Sequence, residues 1–182
     1  KKKLKDFLSY LRKGCVSHDC DTCGFHVHVC KSYLGKVDLF KLMSFFKNNQ
    51  KFIENISQRK LNGYCEMVTC KDEILNISKK KGAKKRYTAI NAEPRDTVEF
   101  RTFKGNLLFH RVMKNLEFVH SIVHWVKETS LLNINLESFL KYLVNKIKSY
   151  PNLVKFVDNY FESARIEYNK VELQRWEAHK CV

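Results

Sequence analysis

The sequence predicts an α+β fold: a largely antiparallel sheet carrying the chemistry, followed by a C-terminal helical layer. Three segments lead to this reading. Cys23-Gly24-Phe25-His26-Val27-His28-Val29 and Thr97-Val98-Glu99-Phe100-Arg101-Thr102-Phe103 alternate polar and apolar residues with period two, the pattern of half-buried strands. Between them and the C-terminus, Leu108, Val112, Leu116, Val119, Ile122, Val123 and Val126 recur at helical spacing, which predicts a long helix over 107–128.

The remaining elements follow in order. Leu4, Phe7, Leu8 and Leu11 predict one apolar face of a short helix over 4–13, stopped by Gly14. A loop bearing Cys and His precedes the first strand. Asp38 is placed to cap a helix reaching about Asn48, with Leu39, Leu42, Met43 and Phe46 inward. A second helical piece covers about 50–58, Asn62-Gly63 is a turn, and 71–81 reads as another short helix. That helix runs into the basic stretch Lys79-Lys80-Lys81-Gly82-Ala83-Lys84-Lys85-Arg86. Tyr87–Asn91 predicts a strand and Glu93-Pro94-Arg95-Asp96 a turn. Asn135 or Ser138 opens a helix through Ile147, and Pro151 suits the first turn of a last helical region continuing toward Glu177.

Composition bounds the possibilities. With 182 residues, the chain reads as a single domain over 1–182, sheet-rich and site-bearing over 19–106 and helical over 107–182. A hydrophobic content of 44% and an aromatic content of 13% argue against disorder. The formal charge of +15 predicts attraction to polyanions, nucleic acid among them, although richness in Lys and Asn is also what an AT-rich genome encodes. The start, KKKLKDFLSYL, lacks the apolar core of a signal peptide, and no stretch approaches the ~20 apolar residues of a membrane span. Seven cysteines, an odd number without the look of a disulfide framework, point to a reducing cytoplasm.

Residues i and i+2 of a strand share a face. His26 and His28 therefore lie together with Val27 and Val29 behind them. Glu99 and Arg101 lie together with Val98, Phe100 and Phe103 on the other side. If both strands belong to one sheet, two imidazoles, a carboxylate and a guanidinium line one surface. Imidazole and carboxylate suit a divalent metal, and arginine suits phosphate or carboxylate.

Several chemistries compete for these residues. Cys20-x-x-Cys23, with Cys15, His18, His26, His28 and Cys30 nearby, has zinc-ligand spacing but lacks a second pair at finger spacing; Cys65 and Cys70 are a loose substitute. His26-Val27-His28 is also the metal-binding pattern of rolling-circle nucleases and relaxases, in which a helical tyrosine attacks DNA; Tyr142, with Lys146 one turn on, would supply that nucleophile. A basic module that binds nucleic acid or a protein without catalysis is the third reading.

Taken in order, Cys23 to Val29, Arg59 to Tyr64, Arg86-Tyr87 with Asn91, Thr97 to Arg101, and Gly105-Asn106 resemble the amidoligase family, carboxylate–amine ligases related to glutamine synthetase and frequent in phages, plasmids and bacteria. The resemblance covers about residues 20–127, with Tyr150-Pro151-Asn152-Leu153 beside it. It implies a glutamine-synthetase-like sheet, ATP, Mg²⁺ or Mn²⁺, and an acyl phosphate captured by an amine. The resemblance further implies carboxylate and amine substrates, with peptides or proteins among the expected ones, and the cytoplasm of a bacterium or phage-infected host as the expected setting. Carried over by position, His26, His28 and Glu99 would be metal ligands. Arg101 and Arg86 would be catalytic anion contacts, and Arg86, Arg101 and Asn91 would contact the nucleotide. The family also has an upstream strand with a Glu-x-Glu pair. This chain opens with Lys1-Lys2-Lys3, and Asp19 and Asp21 lie on an expected loop. The expectation is therefore a domain lacking its N-terminal part, a site completed by a second chain, or lost catalysis.

Overall fold

The structure is a computed structural model that describes residues 1–17, 23–78, 87–163 and 177. It is mixed α and β, with a three-stranded antiparallel sheet. Helix α1 spans Lys2–Leu11, strand β1 Gly24–Cys30, α2 Lys36–Asn48, α3 Gln50–Ser57 and α4 Lys71–Ser78. Strands β2 (Ile90–Asn91) and β3 (Thr97–Lys104) follow. Helices α5 (Phe109–Glu128), α6 (Leu136–Asn145) and α7 (Pro151–Ser163) come after them. The sheet order is β1-β3-β2, so β3 is central and pairs antiparallel with both neighbours.

Helix is not confined to the C-terminal layer. Helices α2, α3 and α4 all lie between β1 and β2, inside the region expected to be sheet-rich. The expected strand over Tyr87–Asn91 is regular only at Ile90–Asn91, preceded by a single parallel bridge from Thr88 to Glu66. A short apolar run in a mostly helical chain has few strands left to pair with, and its period does not reveal this.

Side-chain contacts mark the starts of three helices, α2, α6 and α7. Asp38 sits inside the first turn of α2 rather than before it, and its carboxylate accepts the Gly35 backbone N–H at 3.1 Å. Asn135 opens α6, its side chain accepting the Ser138 N–H at 2.9 Å. Pro151 begins α7, where its missing N–H costs nothing. Two residues on, the Leu153 N–H bonds the Glu117 carboxylate on α5 at 2.8 Å, and Asn152 Nδ2 bonds the same group at 2.7 Å. One helix thus supplies the anion that neutralises the positive start of another. Only Leu8 of α1 is buried, and Phe7 is exposed, so α1 is a peripheral helix.

The core is aromatic. Phe46 of α2 meets Phe100 of β3 at 6.1 Å and Phe118 of α5 at 6.2 Å between ring centroids. Phe118 continues to Phe103 and Phe139, and Phe139 to Trp125, Phe45 and Phe52. These are mostly edge-to-face contacts, the favoured aromatic geometry.

One irregularity decides how the sheet meets this core. Phe25 pairs with Phe103 but Val27 pairs with Phe100, so β3 carries one extra residue opposite His26. Without it, Phe103 would share the face of Glu99 and Arg101. With it, Val98, Phe100 and Phe103 are all fully buried. Among the described residues, no helix is long and apolar enough to cross a membrane.

Phe118 touches three other rings and is fully buried. Phe118→Ala is expected to cost about 3–5 kcal/mol in urea denaturation. Leu132→Ala, at a residue 93% exposed, should stay within about 0.5 kcal/mol. Equal losses at the two positions would contradict this placement of the core.

Candidate functional site

The sheet face turned away from the helices gathers four polar side chains around one carboxylate. His28 is directly opposite Glu99 in the β1–β3 register, and Asn91 of β2 is opposite Glu99 from the other side. Glu99 therefore sits in the middle of the middle strand, with its side chain only 8% exposed. Its Oε1 lies 2.8 Å from His26 Nδ1, 2.9 Å from Arg101 Nη1 and 3.8 Å from His28 Nε2. Its Oε2 accepts Asn91 Nδ2 at 2.9 Å.

Burial alone would raise the Glu99 carboxyl pKa. Hydrogen bonds from Asn91 and Arg101, with the charges of Arg101 and His26, outweigh burial and hold it below the ordinary value. His26 is shifted down, first by its own burial and then by the Arg101 guanidinium, against the pull of Glu99. A neutral His26 facing a carboxylate must carry its proton on Nδ1 and donate it to Glu99. Its Nε2 then keeps a free lone pair, over Gly24: a Cβ built at Gly24 would stand 3.0 Å from His26 Nε2 and 3.2 Å from Arg59 Nη1. Glycine at this position is what lets the imidazole and the Arg59 guanidinium come together above the strand.

The other expected residues are placed as follows. His28 Nδ1 bonds Thr97 Oγ1 at 3.0 Å, which fixes that ring beside Glu99. Asn91 spends its amide on Glu99 and its carbonyl oxygen on the Glu93 N–H at 3.0 Å, so it positions the carboxylate rather than facing outward. Arg101 Nε points to the Tyr64 carbonyl at 3.5 Å, and its guanidinium lies 5.7 Å from the centre of the Tyr87 ring. Tyr64 and Tyr87 pack edge to face at 5.4 Å. Arg86, Asp19, His18, Cys20, Asp21 and the lysines from Lys79 to Lys85 lie outside the described residues.

Sequence reasoning missed Thr97, Arg59 and the Tyr64–Tyr87 pair as parts of the site. Tyr87 was accessible to it, because Tyr87 has the same strand parity as Asn91. Arg59 was not, because it arrives from a turn.

The donor types suit a metal better than their arrangement does. Two imidazoles and a carboxylate favour a borderline ion such as Zn²⁺ or Fe²⁺ over Mg²⁺, which takes oxygen ligands. Yet Glu99 Oε1 already receives protons from His26 and Arg101, and a cation there would face the guanidinium. Among the described residues, no group of three or more His, Cys, Asp or Glu is arranged to hold a metal ion. His26, His28 and Glu99 therefore do not fit a preformed magnesium site. Cys23 is half-buried and Cys15, Cys30, Cys65 and Cys70 are free thiols, and the zinc reading of Cys20 with Cys23 rests on a residue outside the described set.

Tyr142 belongs to a different region. It packs on Tyr150 at 6.4 Å, and Tyr150 bonds His120 of α5. Tyr150 lines a groove with Val27 and Val29, on the side of β1 opposite to His26 and His28. Burial, and then its bond to Tyr150, raise the Tyr142 phenol pKa, which keeps it protonated and a poor nucleophile.

These shifts set a pH dependence. His26, His110 and His120 all titrate below 6.5 in the folded chain, so the unfolded chain takes up protons first. Their contribution to stability is complete above pH 6.5 and is lost as pH falls below it. Glu99 adds a second loss, in place above its ordinary value of 4.5 and disappearing as pH falls through its lower folded value. Denaturation midpoints measured from pH 8 to pH 3 should fall in two stages, with His26→Gln flattening the first and Glu99→Gln the second. A midpoint that rises on acidification would contradict both assignments. No family model matches the chain, and neither a curated protein nor a solved structure does, so function is argued from this face.

Proposed function

We propose that this face is the amine-capture site of an amidoligase-like, ATP-dependent carboxylate–amine ligase. The observation carrying the reading is the Glu99–His26 pair, with His26 Nε2 and Arg59 both over Gly24 and Arg101 on the same carboxylate. The resemblance of the strand motifs to the amidoligases stands beside it, and a glutamine-synthetase-like sheet is part of the same proposal.

In amide formation an amine attacks an activated carboxyl carbon. The C–N bond forms, the C–O bond to the phosphate breaks, and phosphate leaves with that electron pair. The nitrogen must also lose a proton. His26 Nε2 accepts it, and the Glu99 carboxylate stabilises the resulting imidazolium through Nδ1–H. Arg101 and Arg59 hold the carboxylate and the departing phosphate oxygens, offsetting their charge. When bound, ATP supplies the phosphoryl group that activates the carboxyl. Asn91 and Thr97 act indirectly, by fixing Glu99 and His28. The divalent cation that accompanies ATP finds no oxygen-rich set here, and no step is assigned to it.

The DNA-nicking alternative gains nothing from the position of Tyr142. The non-catalytic basic module remains the contrasting outcome of the test. A panel of carboxylic acids with ATP and Mg²⁺ or Mn²⁺ is incubated with hydroxylamine, which traps acyl phosphates as hydroxamates. Hydroxamate and ADP should appear together. His26→Gln should slow capture about 10²–10⁴-fold, the usual contribution of a general base. Arg101→Gln should raise KM and lower kcat. ADP release that never depends on a carboxylate, or full activity in His26→Gln, would reject the ligase assignment. Salt-sensitive binding of DNA or RNA without turnover would then support the basic module.

A further inference from the structure

A second concave region lies on the helical side of the molecule, with no sheet residue in its lining. It is a cavity of about 630 Å³ between the start of α5 and the body of α7. His110, Arg111 and Lys114 enter it from α5, and Lys155, Phe156 and Tyr160 from α7. Its size is that of a small-ligand site.

The charge balance of this cavity is one-sided. Arg111 Nη1 bonds only a neutral group, the Gln58 amide oxygen, at 3.2 Å. Lys114 is 2% exposed, donates to the Ile56 carbonyl and lies 4.5 Å from the centre of the Phe156 ring. Among the described residues, no carboxylate pairs with Arg111, Lys114 or Lys155. Glu117, one turn along α5 from Lys114, is occupied by Asn152 and the Leu153 N–H. Asp158, one turn beyond Lys155, does not line the cavity. Arg12, from the end of α1, adds further positive charge near His110. Burying a cation without an anion is costly, and nothing in the core requires a lysine here.

We propose that this cavity binds a small phosphomonoester, its phosphate held by Arg111, Lys114 and Lys155 and its apolar body against Phe156 and Tyr160. A protonated Lys114 has three N–H donors, of which the Ile56 carbonyl takes one. The others are free for phosphate oxygens. Arg111 supplies a planar fork and Lys155 a mobile charge at the rim. The site is separate from the sheet face and does not depend on the ligase reading.

Lys114 also gives the site a signature. Burial, and then the nearby Arg111, lower its pKa to about 7, so much of it is neutral above that pH when the cavity is empty. A bound dianion holds the proton on. His110, the other titratable group with a shifted pKa at the cavity, is neutral over this range because burial and its basic neighbours lower its pKa. Affinity should therefore fall as pH rises from 7 to 9.

Calorimetry with AMP, inorganic phosphate and adenosine tests this. AMP should bind, phosphate should bind more weakly, and adenosine should not bind. Lys155→Gln, at an exposed rim position that folding does not need, should weaken AMP about tenfold. Lys114→Met should do the same and remove the pH dependence, which Lys114→Arg should also flatten while retaining affinity. Adenosine binding as well as AMP would overturn the proposal. So would AMP binding that is lost in Arg101→Gln but kept in Lys155→Gln, which would place it on the sheet face. A response only to long oligonucleotides, with none to AMP, would assign the cavity to nucleic acid instead.

Discussion

The extra residue in β3 is the constraint on which the rest of the molecule depends. A three-stranded sheet has a single central strand, and that strand must both anchor the core and present the site. Strict alternation cannot do this over Val98 to Phe103, because Phe103 has the parity of Glu99 and Arg101. The bulge opposite His26 resets the parity, so Phe103 joins Phe100 against Phe118 while Glu99 and Arg101 stay on the outer face. Bulges also increase local twist and redirect neighbouring side chains. The one here lies where His26 turns back to meet Glu99. Packing and chemistry are therefore set by the same backbone irregularity.

Glu99 shows how a nearly buried carboxylate is kept charged. Its desolvation is offset by two hydrogen-bonded partners and a nearby imidazole rather than by solvent. Such clusters contribute little net stability when intact but cost about 3–5 kcal/mol when one partner is removed, because a buried charge is left uncompensated. A protein gains no simple folding advantage from this arrangement over an apolar one. The cluster does hold an imidazole in one tautomer with its outer nitrogen open, which is a functional property. Gly24 makes the same point from the backbone: its missing side chain is filled by a histidine and an arginine.

Much of this was legible in the sequence, for identifiable reasons. Helices α5, α6 and α7 repeat apolar residues over many turns, and their starts carry Asn135 and Pro151, so both face and boundary could be read. The strand pair was legible because each segment alternates. The grouping of Phe103 with Val98 and Phe100 followed hydrophobicity against strict parity, and the bulge is its physical cause. The cap expected at Asp38 lies three positions earlier, at Gly35, because the same carboxylate can serve before the helix or within its first turn. The strand at Tyr87 was overextended because β propensity depends on what lies alongside, and here that is β3 at Ile90–Asn91 and a single bridge to Glu66 at Thr88. The metal set was read from residue types, which sequence gives, whereas the saturation of Glu99 by Arg101 is a matter of distance, which it does not.

Net charge is the clearest case of a signal that needs the fold before it can be located. The +15 balance promised an anionic partner without naming a place. The structure shows where several carboxylates are used. Asp38 closes the start of α2, Glu54 holds the Leu61 N–H at 3.2 Å, and Glu117 caps α7. Each is committed to a backbone donor that a helix end or turn would otherwise leave unsatisfied. Asp38 also meets Lys41 and Lys127 at 3.7 and 3.6 Å, whereas Glu54 and Glu117 pair with no lysine or arginine among the described residues. What remains is positive charge without an acid beside it, around Arg111, Lys114 and Lys155 on one side of α5, and Arg59 on the sheet face, where Glu99 is already bonded to Arg101. Gln58 and Arg59 stand at the junction: Gln58 takes the left-handed conformation that ends α3 and bonds Arg111, while the next residue reaches Gly24 and His26. A single turn thus borders both basic regions, Gln58 reaching Arg111 and Arg59 reaching Gly24.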